Sequence, residues 1–393
     1  MKIVLAAVMH SPNLGDGLIA DCLTTELRRQ NEGLDMCWLD LAGRQTFAKP
    51  PKGARTLLLS LLNRLPQGIS QHLATRLVRR QIRKRLEPLI PDRFGDAAAV
   101  VIGGGQLLSD ANLNFPLKIS RVVHEAERRN LPIALHSVGV AKTWSPRGLA
   151  VFADLLSSTK LCFVSVRDQA SADNLRQHYE TLGLNAPEIH VVPDPALIAG
   201  NLDLPPPPAN VAGTIGLGVA HPAAIKTHTD QGAIGFRQSL SQYQSILAEF
   251  QTRQEPVTLF TNGAGEDEEM LDQLWTSLSS KQNLFRMPRP QKPRELVAAI
   301  KAMDTVVSHR LHACITAHAV ATPAIGFRWD AKLDGYFARV GESGNLLNFD
   351  DKAQTITEHA VALKRAKKPA AIETQIPLVQ SGAQLLLESL SKP

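Results

Sequence analysis

Short apolar runs alternate with longer amphipathic segments along most of the 393 residues, and this alternation limits the folds open to the chain. Strand-sized runs between segments with helical spacing are typical of parallel sheets covered by helices on both faces. In the first half we predict strands at 3–8, 97–102, 132–138, 161–166 and 190–192, and helices at 18–29, 117–129, 149–157 and 171–183. In the second half we predict strands at 214–219, 257–260, 305–307 and 323–327, and helices at 236–251, 266–278, 293–303 and 312–320.

Four consecutive prolines at 205–208 separate the two halves. Prolines cannot continue a helix or a central strand, and a run of them makes a stiff extended linker. The chain is also longer than one hydrophobic core ordinarily serves. We therefore predict an α/β protein of two doubly wound, Rossmann-like domains with a cleft between them, the arrangement called GT-B-like. The predicted parts are a first domain at 1–200, a linker at 201–212, a second domain at 213–373, and a C-terminal helix at 374–393 that crosses back onto the first domain.

Composition favours a globular protein of a reducing compartment. Hydrophobic residues make up 44% of the chain and charged residues 20%. The four cysteines are widely spaced without a C-x-x-C pair, which argues against a disulfide framework or a zinc site. The apolar N-terminus is short and lacks a convincing cleavage site, and no apolar run reaches membrane-spanning length. We therefore expect a cytoplasmic protein without a metal site.

The net charge of +6 is unevenly spread, because one window within 50–90 is strongly basic. Its six cations are Arg76, Arg79, Arg80, Arg83, Lys84 and Arg85. Together with the apolar run at 57–62, they suggest an amphipathic helix at an anionic membrane surface. A helix that packs on the core and keeps a solvated basic face is an open alternative. Such a patch would also gather acidic substrates, whereas specific nucleic-acid binding is not expected.

Two glycine-containing loops follow predicted strands of the first half. Their candidate ligand-binding residues are Asn13, Gly15 and Asp16 in the first loop, and Gly103, Gly104 and Gly105 in the second. Glycine permits close backbone approach, and the amides of a following helix can face an anion. Open α/β sheets bind ligands at the carboxyl ends of their strands. Because G-x-G-x-x-G is absent, a dinucleotide is poorly supported. A helix cap at Asp16 and a plain glycine loop remain the structural alternatives.

Three further polar residues end predicted strands of the same half. His136 would either reach the cleft mouth or lie in the core with its hydrogen bonds satisfied. Arg167 could clamp a carboxylate or a phosphate, or form a surface pair with Asp168. Asp194 could orient a hydroxyl group, although capping a turn is the commoner role for such a residue.

The second half contains S-H-R-L-H at 308–312, at the start of a helix of small residues. A fixed cation at Arg310, beside imidazoles at His309 and His312 that titrate near neutrality, can hold an oxyanion and move a proton. The helix N-terminus adds an anion site. A surface arginine between two solvated histidines is the structural alternative. We take Arg310 as a candidate substrate-binding residue, and His312 and His309 as candidate catalytic residues.

Taken in order, these segments resemble the polysaccharide pyruvyl transferase family. The resemblance rests on N-x-G-D at 13–16, the glycine run at 103–105, R-x-x-x-S at 167–171, D-P-A at 194–196, S-x-R-x-H at 308–312 and G-x-x-x-D-x-K at 326–332. It implies a GT-B-like fold and the transfer of a pyruvyl group from phosphoenolpyruvate to two hydroxyls of a sugar, with release of phosphate and formation of a cyclic ketal. It also implies that Arg167 and Arg310 bind phosphoenolpyruvate and that His312 is catalytic. No metal or other cofactor is implied.

The chemistry of the donor agrees with these residues. Two arginines could hold the carboxylate and the phosphate of phosphoenolpyruvate, and a histidine beside these anions could protonate the enol methylene carbon. The acceptor would be a sugar of an exopolysaccharide, a glycan or a lipid-linked precursor, the last of which would suit peripheral contact with the inner face of a membrane. A GT-B glycosyltransferase with a nucleotide-sugar donor is the alternative enzyme, with a ribose-binding carboxylate sought at 266–269. A non-catalytic, membrane-associated scaffold is the third hypothesis.

Overall fold

The computed structural model describes residues 1–47, 67–223, 235–366 and 372–391, with the backbone alone at 67–70. The first of two parallel six-stranded sheets has the order β2-β1-β3-β4-β5-β6. Its strands are β1 (Lys2–Ala7), β2 (Asp35–Asp40), β3 (Ala99–Gly103), β4 (Ile133–Val138), β5 (Leu161–Val166) and β6 (His190–Val191). The order reverses direction between β1 and β3, as in Rossmann-like sheets.

The second sheet has the order β12-β11-β10-β7-β8-β9 and reverses in the same way between β7 and β10. Its strands are β7 (Ile215–Gly218), β8 (Val257–Phe260), β9 (Leu284–Arg286), β10 (Thr305–Ser308), β11 (Ala324–Arg328) and β12 (Leu346–Asn348). The central strands of both sheets are apolar on both faces because helices cover each side. Residues of β1 and β10 such as Ile3, Val4, Val306 and Val307 are accordingly 0% exposed.

Helices connect the strands and cover the sheets. The helices beside the first sheet are α1 (Leu14–Gln30), α2 (Gln67–Gln81), α3 (Ile90–Phe94), α4 (Asn114–Arg128), α5 (Pro146–Leu156) and α6 (Gln169–Thr181). The later helices are α7 (Phe236–Thr252), α8 (Gly265–Ser277), α9 (Pro293–Ala302), α10 (Leu311–Ala319), α11 (Ala331–Arg339), α12 (Ala353–Ala366) and α13 (Ile376–Leu390). None of the described helices combines the length and the hydropathy needed to cross a bilayer.

The C-terminal helix α13 packs on the first sheet, far along the chain from its own neighbours. Ala383, Leu386 and Leu390 share an apolar cluster with residues of β1. The Nε2 atom of Gln30, at the end of α1, donates to the carbonyl of Gln380 at 2.8 Å. The chain therefore passes from the first sheet to the second and returns to the first.

Direct contacts hold the two sheets' helices and loops together around α1. The guanidinium of Arg294, in α9, donates from Nε and Nη2 to the two carboxylate oxygens of Asp21 at 2.7 Å each. The amide of Leu14 donates to the carbonyl of Asn262 at 2.8 Å. These contacts bring the loops after β1 and β8 together, where the carboxyl ends of strands from both sheets meet.

The strands and helices differ from the sequence predictions mainly at edges and ends. Helix α1 begins at Leu14 rather than at residue 18, because its glycine-containing first turn, with Gly15 and Gly17, is helical and buried. The predictions omitted the strands β2, β9 and β12, which lie at or next to sheet edges and are short or carry polar residues. They also omitted α11 and α12.

The basic window lies mostly on α2 and on a π-helical segment, Ile82–Leu86, that continues it. All six cations of the window are exposed, whereas Ala74, Val78, Ile82 and Leu86 are buried in the first domain. The helix therefore packs its apolar face on the protein's own core and keeps a solvated basic face. Leu73 and Leu77 are exposed at 37% and 41% beside the cations. The predicted apolar run at 57–62 lies outside the described residues.

Candidate functional site

His312 and Asp194 meet across the two domains. His312 is the second residue of α10, after the second-sheet strand β10, whereas Asp194 follows β6 of the first sheet. The Nε2 atom of His312 lies 3.4 Å from Oδ2 of Asp194, and their side chains are 12% and 8% exposed. The other carboxylate oxygen, Oδ1, accepts from the amide of Ala196 at 3.0 Å, which fixes the carboxylate as the cap of a 3₁₀ turn. Asp194 thus caps a turn, as one of its two predicted roles requires, and it contacts an imidazole rather than the predicted hydroxyl group.

The Asp194 carboxylate is held in its ionised form. Burial by itself would raise its pKa, but the hydrogen bond and charge of His312, the amide of Ala196 and the charge of Arg167 together lower the pKa below the usual value. An ionised carboxylate next to an imidazole orients the ring and stabilises its protonated form. The carboxylate can therefore orient the His312 ring at the boundary between the two domains.

The first turn of α1 packs directly against His312. A Cβ atom on Gly15 would lie 2.5 Å from Cβ and 2.7 Å from Cγ of His312, so only glycine allows this approach. Asp16 follows in the same turn. Burial raises the pKa of the Asp16 carboxyl, although the charges of His312 and Arg310 and a hydrogen bond from Ser11 oppose this. The N-x-G-D loop is therefore part of the candidate site, and Asp16 lies within electrostatic range of His312 and Arg310.

Arg310 is fixed by an acidic residue that the sequence analysis did not assign to the site. Its Nε and Nη2 atoms donate to the two carboxylate oxygens of Asp267, in α8, at 2.9 and 2.8 Å. The Asp267 side chain is 0% exposed and that of Arg310 is 17% exposed. Burial would lower the pKa of Arg310, but the charge of Asp267 raises it, so the guanidinium stays charged. The sequence pointed to 266–269 only as a place for a ribose-binding carboxylate, and nothing local marks Asp267 as the partner of Arg310.

Arg167 is the corresponding cation of the first domain. It is 7% exposed, and its Nη2 atom donates to Oε1 of Gln106 at 2.7 Å while Nε lies 3.3 Å from Asp168. Gly139 gives this pair room, since a Cβ there would lie 2.4 Å from the Gln106 oxygen and 2.9 Å from Nε of Arg167. The Nη1 atom of Arg339, in α11, donates to the carbonyl of Arg167 at 2.7 Å, which ties Arg167 to the second domain.

Lys332 is a third cation near Arg167, and it was not among the site residues predicted from the sequence. It lies in the first turn of α11, and its Nζ atom contacts Oδ2 of Asp330 at 3.1 Å. Burial lowers the pKa of Lys332, and the charge of Arg167 lowers it further, although Asp330 opposes the shift. The G-x-x-x-D-x-K segment at 326–332 was the signal that could have found it. The structure thus places Lys332 where its charge and that of Arg167 interact.

The glycine run is a packing feature more than an open anion cradle. Gly103, Gly104 and Gly105 are all buried, and the amide of Gly104 donates to the carbonyl of His136 at 3.0 Å. Gly104 has a φ of 76°, and a Cβ there would lie 2.3 Å from Ile19 of α1. The amide of Gly104 is therefore already paired within the first sheet. The glycines of this loop allow α1 to approach the end of β3.

Two of the candidate histidines lie in the cores of their domains. His136 is 0% exposed, shares a 3.2 Å hydrogen bond between Nδ1 and Oγ of Ser165, and has its pKa lowered to about 4 by burial. His309 is 2% exposed, with Nδ1 3.1 Å from the hydroxyl of Tyr243. Burial and the charge of Arg310 lower the pKa of His309 to about 3. Both imidazoles are therefore buried and hydrogen-bonded through Nδ1, although Nε2 of His136 has no partner among the described residues. Burial leaves the predictions that His136 contacts substrate and that His309 is an alternative acid without support from exposure to a ligand.

Comparison with solved structures identifies the same two-domain architecture in enzymes of the GT-B fold. UDP-GlcNAc 2-epimerase from Methanocaldococcus jannaschii is 12% identical, with a TM-score of 0.56 and 98% of each chain covered. UDP-GlcNAc 2-epimerase from Neisseria meningitidis is 13% identical, with a TM-score of 0.53 and 100% of each chain covered. The trehalose-6-phosphate synthase OtsA is 12% identical, with a TM-score of 0.57, covering 100% of this chain and 99% of its own. At these identities the likeness shows the fold alone, and it confirms the predicted fold class.

Comparison of the sequence with curated proteins gives no significant match. The sequence model of the family described as polysaccharide pyruvyl transferase, however, matches residues 13–331. The match begins at Asn13, in the loop that packs on His312, and ends at Ala331, at the start of α11. It therefore spans both domains and includes His312, Asp194, Arg310 and Arg167. The chain belongs to the polysaccharide pyruvyl transferase family.

Proposed function

We propose that this transferase moves the pyruvyl group of phosphoenolpyruvate onto two hydroxyls of one sugar, forming a cyclic ketal and releasing phosphate. The observation that carries the proposal is the 3.4 Å contact between His312 and Asp194 across the cleft. It unites a proton donor from one domain with an ionised carboxylate from the other. Arg310 stands two residues before His312, and the charge of Arg167 is among the influences that hold Asp194 ionised.

The donor would be held by the arginines of the two domains. Arg167 donates to Gln106 from Nη2, and Arg310 donates to Asp267 from Nε and Nη2. The Nη1 atom of each guanidinium would therefore be the one that binds the donor. Asp267 and Gln106 fix the two planes in advance, which reduces the entropy lost when the ligand binds. Lys332 adds a third positive charge near Arg167. Three cations suit a donor that carries both a carboxylate and a phosphate.

His312 would supply the proton that starts the reaction. Transfer of this proton to the methylene carbon of phosphoenolpyruvate converts the double bond to a methyl group and makes C2 electrophilic. A sugar hydroxyl then attacks C2 and returns its proton to the neutral His312. Attack by the second hydroxyl expels phosphate, which leaves with that hydroxyl's proton. Throughout, the Asp194 carboxylate stabilises the imidazolium, so Asp194 is a positioning residue in this scheme.

The acceptor and its location are further parts of the proposal. We propose a sugar of an exopolysaccharide, glycan or lipid-linked precursor, modified in the cytoplasm. The exposed cations of α2, with Leu73 and Leu77 beside them, support peripheral contact with anionic lipid. We expect the parent protein to sediment with vesicles of anionic lipid, and a variant with Arg76, Arg79, Arg80 and Arg83 changed to Glu to remain in the supernatant. Failure of the parent protein to bind such vesicles would remove the membrane contact from the proposal.

A turnover assay tests the proposed reaction. Phosphoenolpyruvate is incubated with the protein and sugars that carry pairs of neighbouring hydroxyls, and both free phosphate and product mass are measured. Pyruvyl transfer predicts equal amounts of phosphate and of a sugar whose mass has grown by pyruvic acid less one water. Release of a nucleotide diphosphate from a nucleotide sugar, with no phosphoenolpyruvate consumed, would favour the glycosyltransferase alternative instead. Among the described residues, no observation favours that alternative at present.

A further inference from the structure

Unpaired polar atoms are concentrated where the loop after β8 meets the start of α1. Of the twelve buried side-chain nitrogen and oxygen atoms that lack a hydrogen-bond partner in the described chain, five belong to Asn262, Arg289 and Asn13. They are both amide atoms of Asn262, both Nη atoms of Arg289 and Oδ1 of Asn13. The 2.8 Å bond from the amide of Leu14 to the carbonyl of Asn262 brings the two loops together. Native proteins leave few such groups unpaired, so this cluster calls for a physical explanation.

Arg289 is fixed at one end and unpaired at the other. Its Nε atom donates to the carbonyl of Gly263 at 2.9 Å, while neither Nη atom has a partner among the described residues. No described carboxylate forms an ion pair with it, and Glu268, the acid that acts on it, is bonded to Thr261. Burial lowers the pKa of Arg289 because this charge is only partly balanced. The free fork of two Nη atoms is the part of a guanidinium that binds a carboxylate or phosphate in bidentate fashion.

Gly263 allows the loop at Pro12 to approach closely beside this fork. It has a φ of 91°, and a Cβ there would lie 2.8 Å from the carbonyl of Pro12 and 3.5 Å from Nη2 of Arg289. Asn262, at 1% exposure, adds an amide donor and an acceptor at the same place. Buried Nη atoms and neighbouring amide groups that all lack hydrogen-bond partners lower the stability of the folded protein. A bound anion can supply the hydrogen bonds that these groups lack.

We propose that Arg289, with Asn262 and Asn13, binds an anionic oxygen group, a phosphate or a carboxylate, on the sugar acceptor. This rests on the proposed function. Asn13 stands two residues before Gly15, which touches His312, so an acceptor anchored here has its sugar ring beside the catalytic histidine. The Nη atoms are buried between the loops at 12–14 and 261–263, so the acceptor enters when these loops separate. The enzyme would then select charged sugars over neutral ones.

Calorimetric titration with three sugar probes tests this assignment. Glucose 1-phosphate and glucuronate carry the two candidate anions, and methyl glucoside carries none. We expect one of the charged probes to bind the parent protein at least about tenfold more tightly than methyl glucoside, and Arg289→Gln to abolish that difference. The matched control is Arg286→Gln, because Arg286 lies three residues away on β9 and is exposed with Asp272 as its partner. The control should bind like the parent, and the preferred probe distinguishes a phosphate from a carboxylate.

Titration of the same variants with phosphoenolpyruvate separates this inference from the proposed function. We expect Arg289→Gln to bind phosphoenolpyruvate as the parent does. Loss of phosphoenolpyruvate binding in this variant would overturn the inference by assigning Arg289 to the donor. Equal binding of charged and neutral sugars by the parent would overturn it while leaving pyruvyl transfer intact. Absence of phosphoenolpyruvate binding by the parent, with the charge preference present, would instead contradict the proposed function alone.

Thermal melting distinguishes a ligand-binding arginine from a structural one. Arg289→Met removes the unbalanced charge and keeps the length of the side chain, so it should melt at the parent temperature or above it. Glucose 1-phosphate or glucuronate, whichever binds more tightly, should raise the melting temperature of the parent but not that of Arg289→Met. A variant that melts well below the parent, together with a parent that the probe does not stabilise, would make Arg289 a structural residue and overturn the assignment.

Discussion

His309 and His312 lie on either side of Arg310 in the same motif, yet their surroundings are opposite. His309 sits in an aromatic cluster, with ring centroids 4.8 Å from Phe327 and 4.5 Å from Phe349. His312 lies between domains, against Gly15 and 3.4 Å from Asp194. Burial lowers the pKa of His309 to about 3, so it is neutral near pH 7. The comparison shows that a motif supplies residue types, whereas the strand end and the helix start decide whether an imidazole lies in a core or at the boundary between the domains.

The geometry of the strand-to-helix junction explains the difference. His309 directly follows β10 and remains among the aromatic side chains that cover the second sheet. Arg310 is the extended N-cap residue of α10, and His312 lies in the first helical turn. A change from extended to helical backbone redirects successive side chains. The side chain of His312 therefore reaches the first domain, while that of His309 stabilises the second.

The largest expected difference between these histidines is in turnover. His312→Gln should lower kcat by about 10²–10⁴-fold because it removes the proton donor. Its melting temperature and its affinity for phosphoenolpyruvate should stay close to those of the parent, as measured by thermal melting and calorimetry. The control is His124→Gln, since His124 is exposed on α4 and should leave every quantity unchanged. Turnover of His312→Gln near the parent rate would remove His312 from the mechanism.

Gly15→Ala should disturb the His312 region without removing any chemical group. The added Cβ would lie 2.5 Å from Cβ of His312, so the imidazole or α1 must shift. Displacement of a catalytic group by about 1 Å can cost about 10²-fold in rate, and we expect a loss of that order in kcat. Gly335→Ala is the matched control, because a Cβ at this α11 position meets nothing within 4 Å. Comparable kinetics in the two variants would contradict the close packing of α1 on His312.

His309→Ala should affect stability more than chemistry. It opens a cavity in the aromatic cluster and leaves the Tyr243 hydroxyl without its imidazole partner, at a cost of about 1–3 kcal/mol in the free energy of unfolding. Urea denaturation measures this loss. The folded variant should keep kcat within a few-fold of the parent. A loss of kcat as large as that of His312→Gln would contradict the assignment of His309 to stability and of His312 to turnover.

Acid titration should reveal the smallest difference. The pKa of His309 is lower in the folded protein, about 3, than its ordinary value of 6.5, so the unfolded state binds the proton more readily. Its neutral form therefore stabilises the fold above pH 6.5, and this contribution is lost as the pH falls from 6.5 towards 3. His309→Gln should lose less stability than the parent between pH 7 and about pH 4 in thermal melts. Identical pH dependence in both proteins would contradict the buried, neutral state of His309.

The sequence predicts central elements better than edges. Strand β8 and strand β5 lie at 257–260 and 161–166 as expected, because mostly apolar runs of this length mark the buried strands of a parallel sheet. The edge strand β2 was missed because Asp35 and Asp40 frame a run whose side chains are only partly buried. Short strands such as β9 and β12 offer too few residues for a recognisable pattern.

In the candidate site, residues within one motif were predicted from the sequence, whereas partners distant along the chain were not. The motif places Arg310 and His312 at a helix start, and the structure places them there. Asp267 and Gln106 were not predicted from the sequence, because their partners, Arg310 and Arg167, lie 43 and 61 residues away along the chain. Only the fold brings such residues together. The burial of His136 and His309 could not be predicted either. A polar residue at the end of a strand gives the same sequence pattern whether its side chain lies in a cleft or in a core.

Calorimetric titration with phosphoenolpyruvate, beside a set of nucleotide sugars, tests the central claim most directly. The claim predicts saturable binding of phosphoenolpyruvate alone, weakened at least about tenfold in Arg310→Lys, which keeps a charge for Asp267 but loses the bidentate fork. Arg328→Lys is the control, because Arg328 is exposed and pairs with Asp334 on the surface. Binding of a nucleotide sugar without binding of phosphoenolpyruvate would contradict the claim and assign the cleft to a glycosyltransferase.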